Sequence, residues 1–250
     1  MSYEYTSRIR YSEVDQSERL SVDHLADYFQ DATIFHDDEA GLGLAYWRER
    51  CAMWVTTYWK ILMFEMPRCC ERVTIRTDAI SCRSFVGLRN FRLRGDDGRL
   101  MAAAFSKYAL LDTRTGKPVR ILPEEGAAYG TSDPLPMEDE KNRLVIPEDA
   151  VEMDPIIVER HHLDPNHHLN NVQFILIAMN YLPEGFTPRM MRVFYHRSAV
   201  LGDTLIPRFS FTEHEVLGAL LRTDGEPYAL FHFSDVLSEQ DARIAELKIP

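Results

Sequence analysis

The sequence predicts an α+β protein built from two similar units in one chain, each a helix wrapped by an antiparallel sheet. Two observations carry this reading. The chain repeats itself, and each half runs from a short strand through one helical stretch to a series of long strands. Ile9-Arg10-Tyr11-Ser12-Glu13-Val14-Asp15, then Leu20, lines up with Val158-Glu159-Arg160-His161-His162-Leu163-Asp164, then Leu169, at an offset of 149. A turn and strand, Cys70 to Ile75 and Gly202 to Ile206, recur at an offset of 132. The hairpin dipeptides Asp97-Gly98 and Asp224-Gly225 recur at an offset of 127. Asp-Gly between apolar runs supplies the positive φ that a tight hairpin needs. The shrinking offset places extra residues in the first half, around Phe35 to Arg50.

In the first unit, Val22 to Phe35 reads as a helix. Leu25, Tyr28, Phe29 and Ala32 stand at i, i+3, i+4 and i+7, which is one helix face. Strands are expected at Met53 to Phe64, Val73 to Ile80, Phe85 to Arg94 and Leu100 to Asp112. In the second unit, Asn171 to Tyr181 is a helix apolar nearly all round and therefore buried. Strands are expected near Met191 to Tyr195, Thr204 to Thr212, Glu215 to Thr223 and Tyr228 to Ser238. The stretch Leu122 to Ile146 carries Pro123, Pro134, Pro136 and the acidic run Glu138-Asp139-Glu140, with Pro147 just beyond. Such a segment should run extended over the surface. The expected division is residues 1–125, a linker 126–150, and residues 151–250. The tail Glu239 to Leu247 has the makings of a short helix.

Composition narrows the function. Apolar content of 45% with 27% charged residues is that of a soluble globular protein. No apolar run reaches the ~18 to 20 residues of a membrane span, and the N-terminus lacks the basic and apolar regions of a signal peptide. Cys51, Cys69, Cys70 and Cys82 all lie in the first half, and adjacent Cys69-Cys70 argues against a disulfide framework. A cytoplasmic, reduced protein is the expectation. The net charge of −11 falls almost entirely after residue 130, and neither half is net basic, which argues against a nucleic-acid partner. Arg83, Arg89, Arg92, Arg94 and Arg99 form a local basic cluster. Arg92 and Arg94 share a strand face with Asn90. That face is either a solvated outer surface or a docking surface for an acidic protein.

The densest chemistry lies in Asp164-Pro165-Asn166-His167-His168-Leu169-Asn170-Asn171. In an extended turn, side chains two apart point the same way, so Asp164, Asn166 and His168 can face one cavity. Asn170 or Asn171 is a natural cap for the helix that follows. A base, an orienting amide and a helix N-terminus with N–H groups are the parts needed to hydrolyse an acyl bond. The alternative is a loop whose Asp and Asn side chains satisfy turn and cap hydrogen bonds. The pairs His161-His162 and His167-His168 lack a metal-ligand spacing or a second ligand cluster, so no metal is expected. No glycine-rich phosphate loop or cofactor fingerprint appears, so no cofactor is expected.

Asp-x-Asn-x-His-x-Asn-Asn resembles the active-site signature of the acyl-acyl carrier protein (acyl-ACP) thioesterases, enzymes with a double hotdog fold. Arg10 to Asp15, Arg19-Leu20-Ser21, Trp54-Val55, and Leu110-Leu111-Asp112 followed by Pro118-Val119-Arg120 are similar to that family's N-terminal half. The resemblance covers roughly residues 5 to 235. It implies hydrolysis of fatty acyl thioesters carried on ACP. Asp164 would act as base or nucleophile, and Asn166 would orient substrate or water. His168 would hold the polar network or shuttle a proton, and the helix end at Asn170 and Asn171 would face the oxyanion. It also implies that the first unit shapes an acyl pocket. Arg92 and Arg94, on their shared strand face, are the candidates for docking the carrier, and a homodimer is an open assembly.

One departure stands out. The family's plant members carry a Glu-Cys pair after a Tyr-Arg-Arg-like strand, where this chain has Tyr195-His196-Arg197-Ser198-Ala199. Ser198 and Ala199 occupy the Glu and Cys positions. A cysteine nucleophile there is excluded, and Glu159, Asp203 or a water held by Ser198 are the groups left to compensate. Hydrolysis of coenzyme A esters, or acyl binding without turnover, are the competing functions. In the first unit, Asp15 and Arg19 are expected to form an ion pair.

Overall fold

The computed structural model describes residues 2–137 and 144–247. The acidic run Glu138-Asp139-Glu140 lies outside the described residues. The chain divides into two compact units, Met1–Met137 with Glu239–Pro250, and Glu138–Ser238. The tail therefore belongs with the first half of the chain rather than with the second.

The first unit opens with β1 (Ser2–Arg8) and a 3-10 turn at Tyr11–Glu13. Two helices follow, α1 (Val22–Glu39) and α2 (Leu44–Glu49). Four long strands complete the sheet: β2 (Ala52–Met63), β3 (Arg72–Arg83), β4 (Val86–Gly95) and β5 (Leu100–Asp112). Their order is β1-β3-β4-β5-β2, antiparallel throughout. The predicted face of α1 is buried. Phe29 stacks on Trp59 at 6.2 Å and meets Phe91 at 5.2 Å, which fixes the helix across the middle of the sheet.

The helix outruns its apolar pattern by one turn. His36 and Asp37 lie beyond the predicted end at Phe35, and both are buried. Arg89 on β4 reaches them from the core face of the sheet. It binds Asp37 at 2.9 Å and His36 Nδ1 at 2.7 Å, and its guanidinium lies 4.9 Å above the Tyr129 ring. Burial pushes the Asp37 carboxyl up to about 6, with Arg89 opposing. Burial and then the Arg89 charge push His36 down to about 4. The signs oppose each other. Asp37 holds its proton more tightly when folded, so it adds stability as pH falls through about 6. His36 holds its proton less tightly, so it removes stability as pH falls from its usual range toward about 4. The wild-type protein should therefore show little pH dependence from this cluster. In Asp37→Asn the His36 slope is left alone, and urea unfolding should show a loss of roughly 3 kcal/mol between pH 7 and pH 4. A slope equal to that of the wild type would contradict this balance.

The linker departs from expectation. Its first part forms α3 (Pro123–Tyr129), with Pro at the start as helix entry favours. Glu125 is buried; it accepts the Leu122 N–H at 2.7 Å and the Tyr46 hydroxyl at 2.7 Å, and it pairs with Arg50. Beyond the helix, Asn90 receives the Leu135 N–H and donates to Asp133 O. Buried Tyr129 and Leu135 make this stretch part of the first unit's packing rather than a solvated strap.

The second unit has β6 (Val151–Glu152), β7 (Ile156–Ile157) and a 3-10 turn at Arg160–His162, followed by α4 (Asn171–Met179). The strands β8 (Met190–Tyr195), β9 (Thr204–Phe211), β10 (Glu215–Leu221) and β11 (Pro227–Ser234) complete it. Their order is β8-β11-β10-β9-β6, with β7 also on β9. This is the topology of the first unit repeated: β2, β5, β4 and β3 correspond to β8, β11, β10 and β9. The last strand ends at Ser234 because its hydroxyl bonds Val236 and turns the chain. The tail forms α5 (Glu239–Arg243), tied into the first unit by Asp241, which pairs with Lys60 at 2.7 Å.

Candidate active site

Asp164 to Asn171 form the connection from the 3-10 turn into α4. Leu163 and Leu169 bridge across the base of a tight loop, with Asp164 N–H bonded to His168 O at 2.8 Å. Asp164 Oδ1 accepts the N–H groups of Asn166 at 2.8 Å and His168 at 3.1 Å. Its Oδ2 lies 3.5 Å from Asn166 Nδ2. His167 takes φ +64°, a left-handed turn in a non-glycine residue. Asn166 and His167 are exposed, and Asp164 and His168 are half-buried.

The same loop exists in the first unit, residue for residue at the offset of 149. Asp15 Oδ1 accepts Ser17 N–H at 2.8 Å and Arg19 N–H at 3.3 Å, and Glu18 takes φ +60°. The backbone geometry is thus a property of the fold, stabilised in both units by an aspartate that caps its own turn. What differs is the side chains that the turn carries. Ser17 donates to Asp15 at 2.6 Å, whereas the second unit offers Asn166 and His168. The expected Asp15–Arg19 ion pair does not form. The Arg19 guanidinium instead donates to Met66 O at 2.6 Å, because its strand-like backbone carries it toward the β2–β3 connection.

The start of α4 carries one of the two caps the sequence offers. Asn170 is its cap, with Oδ1 accepting the Val172 N–H at 3.0 Å, and Asn170 O takes Gln173 N–H and Phe174 N–H. These three donors are used within the turn. Asn171 O accepts the Tyr195 hydroxyl at 2.9 Å, which pins the first turn to β8.

The segment Ser198-Ala199-Val200 lies against the loop. Leu169 N–H bonds Ala199 O at 2.8 Å and His168 bridges Val200. Ser198 is exposed and Ala199 buried. Asp203 Oδ2 accepts Val200 N–H and the Tyr228 hydroxyl, each at 2.9 Å, so it is committed to holding this segment. Burial first, then the Asp203 bond, push the Tyr228 phenol up to about 12. Glu159 is exposed, 3.5 Å from His161. His162 Nδ1 accepts the Glu159 N–H, and burial pulls its pKa below the usual histidine range. Tyr195 and Tyr228 thus fix the two backbones that bound the site. Neither was legible beforehand, since only the pairing of β8 with β11 brings them near it.

The docking expectation also changes. Arg92 is buried and binds Asp78 Oδ2 at 2.6 Å, which removes it from any surface. Arg94 is half-buried and donates to Gly98 O.

Two fused units, each a helix on an antiparallel sheet with the same strand order, define a double hotdog protein. The acyl-ACP thioesterase N-terminal domain matches residues 1–129, and the chain belongs to that family. It is a thioester hydrolase acting on fatty acyl-ACP. An acyl-ACP thioesterase from Bacteroides thetaiotaomicron superposes with a TM-score of 0.85 at 21% identity, over 93% of this chain and 97% of that one. The 12:0-ACP thioesterase of Umbellularia californica gives 0.83 at 18% identity, over 93% and 96%. A Lactobacillus plantarum protein described as an oleoyl thioesterase gives 0.80 at 25% identity, over 93% and 95%. No curated protein matches the chain. The family match ends before Asp164, so the residues that carry the reaction are a separate question.

Proposed function

We propose that this chain releases fatty acids from acyl-ACP with Asp164, Asn166 and His168 as its working residues. The observation that carries this reading is the contrast between the two loops. One backbone geometry occurs twice, and only the second copy carries an amide and an imidazole in its turn, with the Asn166 amide beside the carboxylate. Asp164 Oδ1 is held by two N–H groups, which orients Oδ2 beside Asn166. In the reaction, Oδ2 takes a proton from water as the water oxygen adds to the thioester carbonyl. The Asn166 amide donates to the substrate, and His168 hydrogen-bonds and shuttles the proton. Collapse of the adduct breaks the C–S bond, and the departing sulfur of the carrier's prosthetic group takes the proton. The products are a fatty acid and the free carrier.

Among the described residues no helix is long and apolar enough to cross a membrane. Four free cysteines support a reducing, cytoplasmic setting. The test of carrier preference compares kcat/KM for one acyl chain on ACP and on coenzyme A. A preference for ACP of about tenfold or more is expected from protein–protein recognition. Equal values would favour the coenzyme A reading, and tight binding without turnover would favour a silent acyl-binding protein.

A further inference from the structure

The turn that leads into β3 repeats before β9 in the second unit, with one change. Cys70 and Gly202 stand at the same place, 132 residues apart. Cys70 N–H bonds Ile9 O at 2.9 Å, as Gly202 N–H bonds Val158 O at 2.9 Å. Glu71 Oε2 accepts Arg68 N–H at 2.9 Å, as Asp203 Oδ2 accepts Val200 N–H at 2.9 Å. Both turns take a left-handed residue, φ +69° at Cys70 and +86° at Gly202. Glycine adopts that conformation without steric cost, and cysteine does not. The first unit therefore keeps a side chain where the fold favours none. The residue before it is a second cysteine. In a strand, adjacent side chains point to opposite faces. Here the left-handed turn brings the Cys69 and Cys70 sulfurs to 3.8 Å. Cys69 is half-buried and Cys70 exposed. Cys69 N–H bonds Glu18 O at 3.0 Å, so the backbones of both cysteines are tied to the segment between β1 and α1.

We propose that Cys69 and Cys70 form a prebuilt dithiol site that captures a trivalent arsenical through both sulfurs. The span between the sulfurs decides which ligand fits. An unstrained S–S bond is ~2.05 Å long and joins Cα atoms ~4.4–6.8 Å apart, whereas adjacent Cα atoms are ~3.8 Å apart. A third atom that holds two thiolates by bonds of ~2.3 Å at roughly 95–110° spans about 3.4–3.8 Å. Structural zinc takes four ligands, and among the described residues no group of three or more His, Cys, Asp or Glu side chains could hold a metal. A singly substituted arsenic(III) centre needs two thiols alone. With an arsenoxide, R–As=O, two S–H bonds and the As=O bond break, two As–S bonds form and one water leaves. Arsenic stays trivalent, and no oxidant or reductant is consumed. Partial burial, then the bond to Cys70 and its charge, hold the Cys69 thiol above its usual range. That disfavours attack by a lone thiolate and leaves two-point capture as the stronger mode.

The probe is phenylarsine oxide, added to the reduced full chain. Intact mass should show one phenylarsenic adduct per chain, removed by 2,3-dimercaptopropanol and not by excess glutathione. Cys69→Ser and Cys70→Ser should each weaken binding by about 10² or more, since each leaves a single point of attachment. Cys51→Ser/Cys82→Ser should keep the adduct. Cys70→Gly should lose it yet melt at an equal or higher temperature, because glycine relieves the left-handed residue. Misfolding cannot produce that combination. Repeating the titration in urea reads the contribution of the fold, because the two sulfurs remain adjacent in sequence but are no longer held. The folded chain should bind at least about tenfold more tightly. Equal affinity in the folded and unfolded chain overturns the site, as does an adduct that survives in Cys70→Ser. So does a reduced chain that captures no arsenical but closes a Cys69–Cys70 disulfide with oxidised dithiothreitol.

Discussion

Asp164→Asn is expected to lower kcat/KM on acyl-ACP by about 10² or more while leaving the fold intact. The choice of asparagine matters. Asp164 Oδ1 caps its own turn through Asn166 N–H and His168 N–H, so alanine would remove both a carboxylate and a structural acceptor. Asparagine retains an oxygen that can accept those bonds but cannot take a proton from water. Asp15→Asn in the first unit is the matched control. It sits in the same turn with the same bonds, and should leave turnover near the wild-type value. Near-normal hydrolysis by folded Asp164→Asn would return Asp164 to the role Asp15 plays. Equal losses in the two variants would show that the turns matter for structure alone.

The second large effect concerns stability. Lys60 and Asp241 form an ion pair at 2.7 Å with side chains 2% and 3% exposed. Removing one partner breaks a buried ion pair, which costs about 3–5 kcal/mol. Asp241→Ala should therefore lower the melting temperature on the order of 10 °C for a chain of this size. Replacing both by apolar residues, Lys60→Met with Asp241→Leu, should recover most of that loss, because desolvation of both charges is avoided. A drop of no more than about 2 °C in Asp241→Ala would mean that the tail does not stay docked on β2 through this pair.

The duplicated fold was legible because a strand period, a helix period and two Asp-Gly hairpins recur in the same order. Resemblance to the family's motifs added the particular fold. Polar groups in the interior were not legible. His36 and Asp37 look like the end of an apolar helix and are buried because Arg89, on the core face of a distant strand, reaches them. Arg92 looks like a surface residue and is buried because Asp78, paired to the neighbouring position, neutralises it. The linker's prolines suggested an extended strap, but Pro123 starts a helix and Glu125 finds Arg50. In each case the deciding partner is far away in sequence. The loop at Asp164 shows the converse. Its spacing drew attention to three side chains, and the structure shows that the spacing is shared with a turn in the other unit. Residue identity, not geometry, sets the two apart.

The most direct test of the account is to incubate the purified protein with acyl-ACP and weigh the carrier by mass spectrometry while titrating its free thiol. The account predicts loss of the acyl mass, appearance of one thiol per carrier and an equal amount of free fatty acid, all abolished or strongly slowed in Asp164→Asn. Carrier that keeps its acyl group across chain lengths, despite binding, would contradict it.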